Sequence, residues 1–143
     1  MPEYNVIPIH NETQTGNLKP LLYEIRHALV QLLKTGEKTV IDLSAMPMSD
    51  SELLTLEQFL GKGEVSAELN ILGKSRVEES RFSGVWLVRH LDEAGEKDRL
   101  FIEIDTVPPL LCAQTEDIHH GLSQLEQSLT EDLSENRQVE IKS

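Results

Sequence analysis

The chain has 143 residues and a mass of 16.1 kDa, enough for one domain that buries roughly two-thirds of its unfolded surface. Its 25 acidic and 13 basic residues give a formal net charge of -12, and such a surface repels phosphate backbones, so general nucleic-acid binding is not predicted. A single cysteine excludes an internal disulfide and a site built from four thiolates. No apolar run reaches the roughly 18 residues that cross a bilayer, and no export signal is recognisable, so we expect a cytoplasmic protein without membrane insertion.

The N-terminal part predicts an extended arm and then a helix. Residues 1–14 form the predicted arm, with Val6–Ile9 as a short edge strand, because Pro8 lacks the donor that an interior strand uses. Asn17 is the expected helix cap, and Gly36 supplies a left-handed stop. The apolar residues at spacings of three and four form the predicted core stripe: Leu18, Leu22, Ile25, Leu29 and Leu32.

A short buried strand at 39–43 and a second helix come next. Ser49 and Glu52 have the spacing of a capping box, which predicts that the helix begins there. Gly61 is expected to end it. Its predicted core face consists of Leu53, Leu56 and Leu60.

From Gly63 onward the hydrophobic period changes from near 3.6 to 2, which predicts strands at 65–71, 75–80, 85–91 and 100–106. Short polar turns between them favour an antiparallel meander, so we predict an α+β fold with the helices packed on one sheet face and the other face open to water. A third helix is expected after Thr115, followed by a frayed tail at 135–143. Its predicted core stripe consists of Ile118, Leu122, Leu125, Leu129 and Leu133.

Two blocks carry a family resemblance that covers most of the chain. The first is Leu60-Gly61-Lys62-Gly63-Glu64-Val65, and the second, about twenty residues later, is Gly84-Val85-Trp86. Together they resemble the conserved domain of the HupH/HyaF-type hydrogenase expression/formation proteins. The resemblance implies a single HupH-like domain over residues 1–143. Relatives commonly are longer, and often have Glu-Thr where this chain has Glu79-Ser80.

The resemblance also implies a function. Family members are accessory proteins for the maturation of uptake [NiFe] hydrogenases, acting as chaperones or scaffolds rather than as enzymes, and no cofactor is implied. The expected partner is a hydrogenase subunit precursor, foremost the iron–sulfur small subunit, or another hydrogenase accessory protein. The net charge of -12 is compatible with docking near a basic twin-arginine signal on such a subunit. Exposed sheet edges leave a homodimer open.

Trp86 is the main candidate for partner contact. In the strand alternation it lies opposite Val85 and Leu87, so it faces outward if those two point into the core. The alternative is that both faces are covered and that Trp86 belongs to the core. The charged residues predicted to contribute to the same partner surface are Glu64, Glu68, Glu79, Arg81 and Arg89.

Other reactive side chains give weaker hypotheses. Glu116 and His120 share a helix face and, with His119, could bind nickel or iron, although the predicted placement of both histidines is simply solvent-facing. Strand carboxylates such as Glu64 and Glu103 could support a hydrolase, but no nucleophile elbow, phosphate-binding loop or other catalytic motif occurs. Enzymatic activity is therefore not predicted.

Two local features have ordinary structural interpretations. Cys112 follows two leucines, which favours a small buried hydrophobe over a reactive thiol. The segment 61–64 lies after a helix and before a strand, the reverse of the order in a phosphate cradle, so it is interpreted as a helix stop and turn.

Overall fold

The computed structural model describes residues 14–70, 73–94 and 98–142, with side chains through residue 132. The chain divides into two units, Met1–Pro108 and Pro109–Ser143. The described part of the first unit contains two helices, a 3-10 turn at Leu43–Ala45 and five strands. In chain order they are α1 (Leu18–Thr35), β1 (Thr39–Asp42), α2 (Asp50–Leu60), β2 (Ser66–Asn70), β3 (Lys74–Glu79), β4 (Val85–Leu91) and β5 (Asp98–Ile104). The predicted edge strand at 6–9 lies outside the described residues.

The five strands form one antiparallel sheet in the order β1-β5-β4-β3-β2. Strands β2 to β5 are a meander, as predicted, and β1 is added at the β5 edge. In the register, Leu87 of β4 pairs with Ile102 of β5, which pairs with Ile41 of β1. Since directly opposed residues in an antiparallel sheet share a face, these three define the face on which the helices pack. The predicted α+β fold is confirmed.

The side of α1 that packs against this sheet face differs slightly from the predicted one. On α1 the buried residues are Leu21, Ile25 and Ala28. Most of the predicted stripe is only partly buried at the flank of the core, including Leu22 and Leu29. The helix is therefore rotated so that part of its apolar surface remains accessible.

The opposite face of the sheet is also buried at its centre, and the prediction that it meets water is wrong there. Trp86, Val88 and Val77 lie on this face, and each is at most 5% exposed. Ala67 and Leu69 of β2 share this face and are half-buried. The continuous apolar run from Val85 to Val88 has side chains on both faces, which is the pattern of a strand buried on both sides.

The start of α2 is fixed by the predicted capping box. The Glu52 backbone N–H donates to the Ser49 hydroxyl (3.1 Å), and the Ser49 N–H donates to the Glu52 carboxylate (2.9 Å). The same buried carboxylate also accepts the backbone N–H groups of Thr15 and Gly16, each at 3.2 Å, and so ties the segment before α1 to α2. By contrast, the Asn17 side chain does not cap α1 as predicted, because its amide donates to the Pro47 carbonyl.

These donors make Glu52 an acid-sensitive point of the fold. The hydrogen bond from the Ser49 N–H, reinforced by Thr15 and Gly16 against the opposing effect of burial, lowers the pKa of Glu52 to about 2. Because the folded-state pKa lies below the unfolded value, the stability it contributes is present above about pH 4.5 and is lost as the pH falls toward 2. We expect Glu52→Gln to be less stable than wild type near neutral pH and to lose less stability on acidification. The glutamine side chain places an NH₂ donor where the Glu52 oxygen accepted the Gly16 N–H, so this hydrogen bond is lost.

Urea unfolding between pH 3 and 7 measures this effect. Glu24→Gln, which changes an exposed carboxyl on α1, is the matched control and is expected to keep the wild-type pH profile. Parallel profiles for wild type and Glu52→Gln would show that this carboxylate does not contribute to acid sensitivity.

The second unit contains a 3-10 turn at Pro109–Leu111 and α3 (Thr115–Lys142), which includes most of the tail for which fraying is predicted. The interpretation of its apolar stripe as a core stripe is wrong for the side chains described: Ile118, Leu122, Leu125 and Leu129 are each more than half exposed. Leu133 lies beyond the described side chains. No helix among the described residues is both long and apolar enough to span a membrane.

Candidate functional site

The turn between β3 and β4 builds one wall of the site. Ser80 is buried, and its hydroxyl donates to the Phe82 carbonyl (3.0 Å) while it accepts the Phe82 N–H (3.1 Å). The Ser80 N–H donates to the Val85 carbonyl, and the Val85 N–H donates to the Phe82 carbonyl, each at 3.0 Å. These four bonds fix the path of residues 80–85. The Ser80 hydroxyl thus supplies both a donor and an acceptor to this turn.

Gly84 lets this turn approach α1. Its φ is +91°, in the region that residues with a Cβ rarely adopt. A Cβ at this position would also lie 3.2 Å from Leu29 Cδ2 of α1. The glycine of the Gly-Val-Trp block therefore serves the close packing of the turn on the helix.

Arg81 and two aromatic rings complete the wall. The Arg81 Nε donates to the Phe59 carbonyl at the end of α2 (2.9 Å). The guanidinium lies over the rings of Phe82 and Phe59, 4.5 and 5.3 Å from their centroids. The two rings themselves stack at a centroid distance of 5.6 Å. The arginine thereby joins the turn to the end of α2 through hydrogen bonding and cation–π contact.

Between this wall and α1 lies an apolar groove of about 490 Å³, within the usual range of binding pockets. Its floor is made of core residues, and its sides carry aromatic rings that remain accessible: Tyr23 is 60% exposed and Phe59 is 44% exposed. The apolar and aromatic lining consists of Leu22, Tyr23, Ile25, Leu29, Phe59, Leu60, Phe82 and Val85. We call this feature the α1 groove.

Within the part of the chain that the structure describes, two charged residues line the α1 groove, and both are basic. Lys19 and Arg26 are two helical turns apart on α1, a rise of roughly 10 Å. Arg81 adds a third positive charge above the aromatic pair. Neither Lys19 nor Arg26 forms a salt bridge with any residue that the structure describes. This local positive rim stands in a chain whose net charge is -12.

The sequence did not predict the α1 groove. Its helical stripes identified core residues, whereas Tyr23 and Phe59 lie just beside those stripes. Tyr23 and Phe59 each lie next to the predicted apolar face of a helix rather than on it. This pattern indicates aromatic side chains at the edge of the core and is the feature of the sequence that could have predicted the groove. None of the six predicted partner-binding residues is among those that line this groove, although Arg81 contacts the Phe59 and Phe82 rings of its wall.

Trp86 lies on the predicted sheet face, opposite Val85 and Leu87, but the solvent exposure expected there is wrong, and the alternative, a core position, is the one observed. Trp86 is 5% exposed, and its indole N–H donates to the Asp105 carbonyl (3.1 Å). It lies opposite Glu79 and Glu103 in the sheet register. In this conformation it offers no surface to a partner.

Arg89 is engaged within the protein. It lies on the helix-packed face, where its guanidinium donates to Glu57 of α2 (2.7 Å) and to Asp98 of β5 (2.8 Å). The side chain is only 32% exposed. These contacts join α2 to the sheet.

The three predicted glutamates lie away from the α1 groove lining. Glu79 accepts the Glu64 N–H on its carboxylate (3.1 Å) and the Gly63 N–H on its backbone carbonyl (2.7 Å), which fixes the loop before β2. Glu68 pairs with Arg76 on the neighbouring strand (3.4 Å). The Glu64 side chain is exposed in this loop. The loop follows the end of α2, which confirms the interpretation of 61–64 as a helix stop and turn.

The alternative metal and acid–base sites do not assemble in the described residues. Glu116, His119 and His120 are exposed, as predicted for the histidines, and no cluster suitable for a metal ion occurs in the described part of the chain. Burial, then the nearby Asp105 charge, raises the pKa of Glu103, with His90 opposing. However, β5 lies three strands from β2, roughly 14 Å across the sheet, so Glu103 and Glu64 do not form a carboxylate pair.

The Cys112 thiol is exposed, and the expectation that it is a buried hydrophobe is wrong. It lies between the 3-10 turn at Pro109–Leu111 and the start of α3, in the second unit. The leucines that precede it, Leu110 and Leu111, are exposed and half-buried respectively, so their apolar character did not indicate a core position here.

Comparisons with known proteins give consistent results. Residues 15–131 match the family described as HupH hydrogenase expression protein, C-terminal conserved region. The chain is 27% identical over 124 residues to the hydrogenase expression/formation protein HoxQ of Azotobacter vinelandii, covering 78% of this chain and 43% of HoxQ. It is 31% identical over 91 residues to HupQ of Azotobacter chroococcum mcd 1, covering 64% of this chain and 31% of HupQ. It therefore spans less than half the length of these relatives.

A solved structure shares the fold. The hydrogenase expression protein HupH from Thiobacillus denitrificans ATCC 25259 superposes with a TM-score of 0.78 at 38% sequence identity. The match covers 83% of this chain and 99% of that one.

Proposed function

Because this chain belongs to the HupH hydrogenase expression protein family, we propose that it is a non-catalytic accessory protein for the assembly of an uptake [NiFe] hydrogenase. It acts in the cytoplasm as a chaperone or scaffold that binds a hydrogenase subunit precursor, foremost the iron–sulfur small subunit. The relatives HoxQ and HupQ, both named hydrogenase expression/formation proteins, support the hydrogenase connection. The α1 groove supports the binding role.

The single observation that carries the binding role is that accessible aromatic and aliphatic side chains line a concave surface. Tyr23 and Phe59 remain accessible above a floor of buried core residues. Aromatic residues at the edge of an apolar depression are typical of binding hot spots. Both family blocks contribute to this surface: Leu60 and Val85 line it, and Gly84 brings the turn that Ser80 fixes close to α1.

The chemistry of the α1 groove is that of recognition. Its lining supplies apolar contact area and two cations. Among the described residues, the lining contains no carboxylate, histidine or thiol that could transfer a proton or act as a nucleophile. A partner segment bound there gains burial of apolar surface, at roughly 25 cal/mol per Å² before the costs of association. This is the work expected of a chaperone or scaffold.

We expect Tyr23→Ala to weaken capture of the hydrogenase precursor by tenfold or more while the protein stays folded, because the ring is more than half exposed. The measurement is affinity capture of the tagged protein from hydrogenase-producing cells, with bound hydrogenase subunits and accessory proteins identified and quantified by mass spectrometry. Leu33→Ala is the matched control, since Leu33 is an exposed apolar residue of α1 that does not line the groove. It is expected to capture as wild type does.

Two outcomes would contradict the proposal. Absence of every hydrogenase subunit and accessory protein from the captured material would remove the assembly role. Equal recovery with Tyr23→Ala and Leu33→Ala would show that the α1 groove is not the binding surface.

A further inference from the structure

Resting on the proposed function, we infer that the α1 groove recognises an acidic amphipathic segment of the partner, with apolar side chains on one face and carboxylates beside them. The net charge of -12 would favour a basic segment such as a twin-arginine signal. The cations at the α1 groove would repel such a segment. The occupant is thus defined by the local charge of the groove rather than by the charge of the whole chain.

The positions of the cations support this inference. Lys19 and Arg26 both line the α1 groove and both lie on α1, whereas the apolar lining comes from three separate segments. The positive charge therefore follows one long side of the groove. A ligand lying along α1 meets apolar contacts beneath it and two cations beside it, about 10 Å apart.

Arg81 does not line the α1 groove, but it adds a positive charge at the aromatic wall. Its guanidinium covers the Phe82 and Phe59 rings while the side chain stays exposed, so its charge is available above the aromatic wall. Desolvation by an apolar ligand strengthens attraction to a carboxylate and makes burial of a ligand cation costly. Charge of one sign around an apolar depression therefore selects against basic segments as well as for acidic ones.

The spacing of the cations limits the geometry of the ligand. A partner helix parallel to α1 would place carboxylates seven residues apart to match Lys19 and Arg26, since both helices rise 1.5 Å per residue. An extended partner segment would place them about three residues apart. In both cases the apolar residues lie between the carboxylates, facing the floor of the groove.

Two fluorescent helical peptides test the inference. They share one apolar face and differ only in carrying Glu or Lys at two flanking positions seven residues apart. By fluorescence anisotropy at low salt, the full chain is expected to bind the Glu peptide about tenfold more tightly than the Lys peptide. The preference is expected to shrink as salt is raised, because the pairs are partly exposed.

Charge reversal on α1 supplies the control. Arg26→Glu is expected to abolish the preference for the Glu peptide, whereas Lys34→Glu is expected to retain it. Lys34 lies on the same helix and its reversal changes the net charge equally, but it does not line the groove. Equal loss in both variants would show that only the net charge matters and would overturn the inference.

Other outcomes also have a defined meaning. Equal affinity for both peptides, or preference for the Lys peptide, would overturn the inference while leaving the proposed function to the capture experiment with Tyr23→Ala. A second copy of this chain is a competing occupant. A dimer in light scattering that Tyr23→Ala and Arg26→Glu both dissociate would overturn the inference in favour of self-association.

Discussion

Replacement of Trp86 by alanine is expected to lower the free energy of unfolding by about 3–5 kcal/mol, the usual cost of removing a buried aromatic side chain. Trp86 is 5% exposed and packs on the sheet face opposite the helices, so truncation leaves a cavity. It also leaves the Asp105 carbonyl without the indole donor. The corresponding fall in Tm is about 10 °C or more for a chain of this size.

Thermal and urea unfolding followed by circular dichroism measure this change. Trp86→Phe is the matched variant, because it retains a ring and loses the N–H, and we expect a smaller cost of about 1–3 kcal/mol. Loss of partner capture in Trp86→Ala would then reflect the lost fold rather than a lost contact. An unchanged Tm together with lost capture would contradict the buried position and restore Trp86 as a surface contact.

Replacement of Gly84 by alanine is expected to lower the free energy of unfolding by about 2 kcal/mol and to weaken peptide binding at the α1 groove. The φ of +91° is strained for a residue with a Cβ, at a typical cost of about 1–3 kcal/mol. The new methyl group also crowds Leu29 of α1, and relief of the contact displaces this side chain, which lines the groove, by a few tenths of an ångström. Stability and binding therefore change together.

Gly36→Ala separates the two causes. Gly36 also has a positive φ, +75°, but a Cβ there meets nothing within 4 Å. We expect it to lose about 1 kcal/mol in urea unfolding and to bind the Glu peptide as wild type does. Equal effects of Gly36→Ala and Gly84→Ala on stability and binding would show that the close approach of Gly84 to α1 contributes to neither.

Much of the fold follows from local chemistry that the sequence displays. Ser49 and Glu52 form their capping box, Gly36 ends α1 with a left-handed residue, and the polar turns give the antiparallel meander. Each of these depends on residues close together in the chain. Periodicity identifies which side chains share a face, because that property is also local.

The errors concern relations between distant segments. Alternation placed Trp86 opposite Val85 correctly, but it contains no information on whether one or both sheet faces are covered. The apolar run Val85–Val88, read as an alternating strand, had the alternative interpretation of burial on both sides. Likewise, the α3 stripe has the spacing of a core face, although its described side chains are exposed.

The candidate site was harder to predict because three separated segments build it. Tyr23 comes from α1, Phe59 from the end of α2, and Phe82 from the turn before β4. Their convergence depends on the rotation of α1 and on the packing of α2, neither of which a stripe specifies. The turn itself was recognised through its family block, but its role as a wall of the groove required the structure.

The pairing of β1 with β5 has a consequence for biosynthesis. Thr39 pairs with Ile104, so β1 finds its neighbour only after almost the whole first unit has been made, although it leaves the ribosome early. The hairpins of β2 to β5 close over short loops, whereas this pairing closes a long one. A nascent chain that stops before β5 can therefore pair β2, β3 and β4, but it lacks the strand that joins β1 to them.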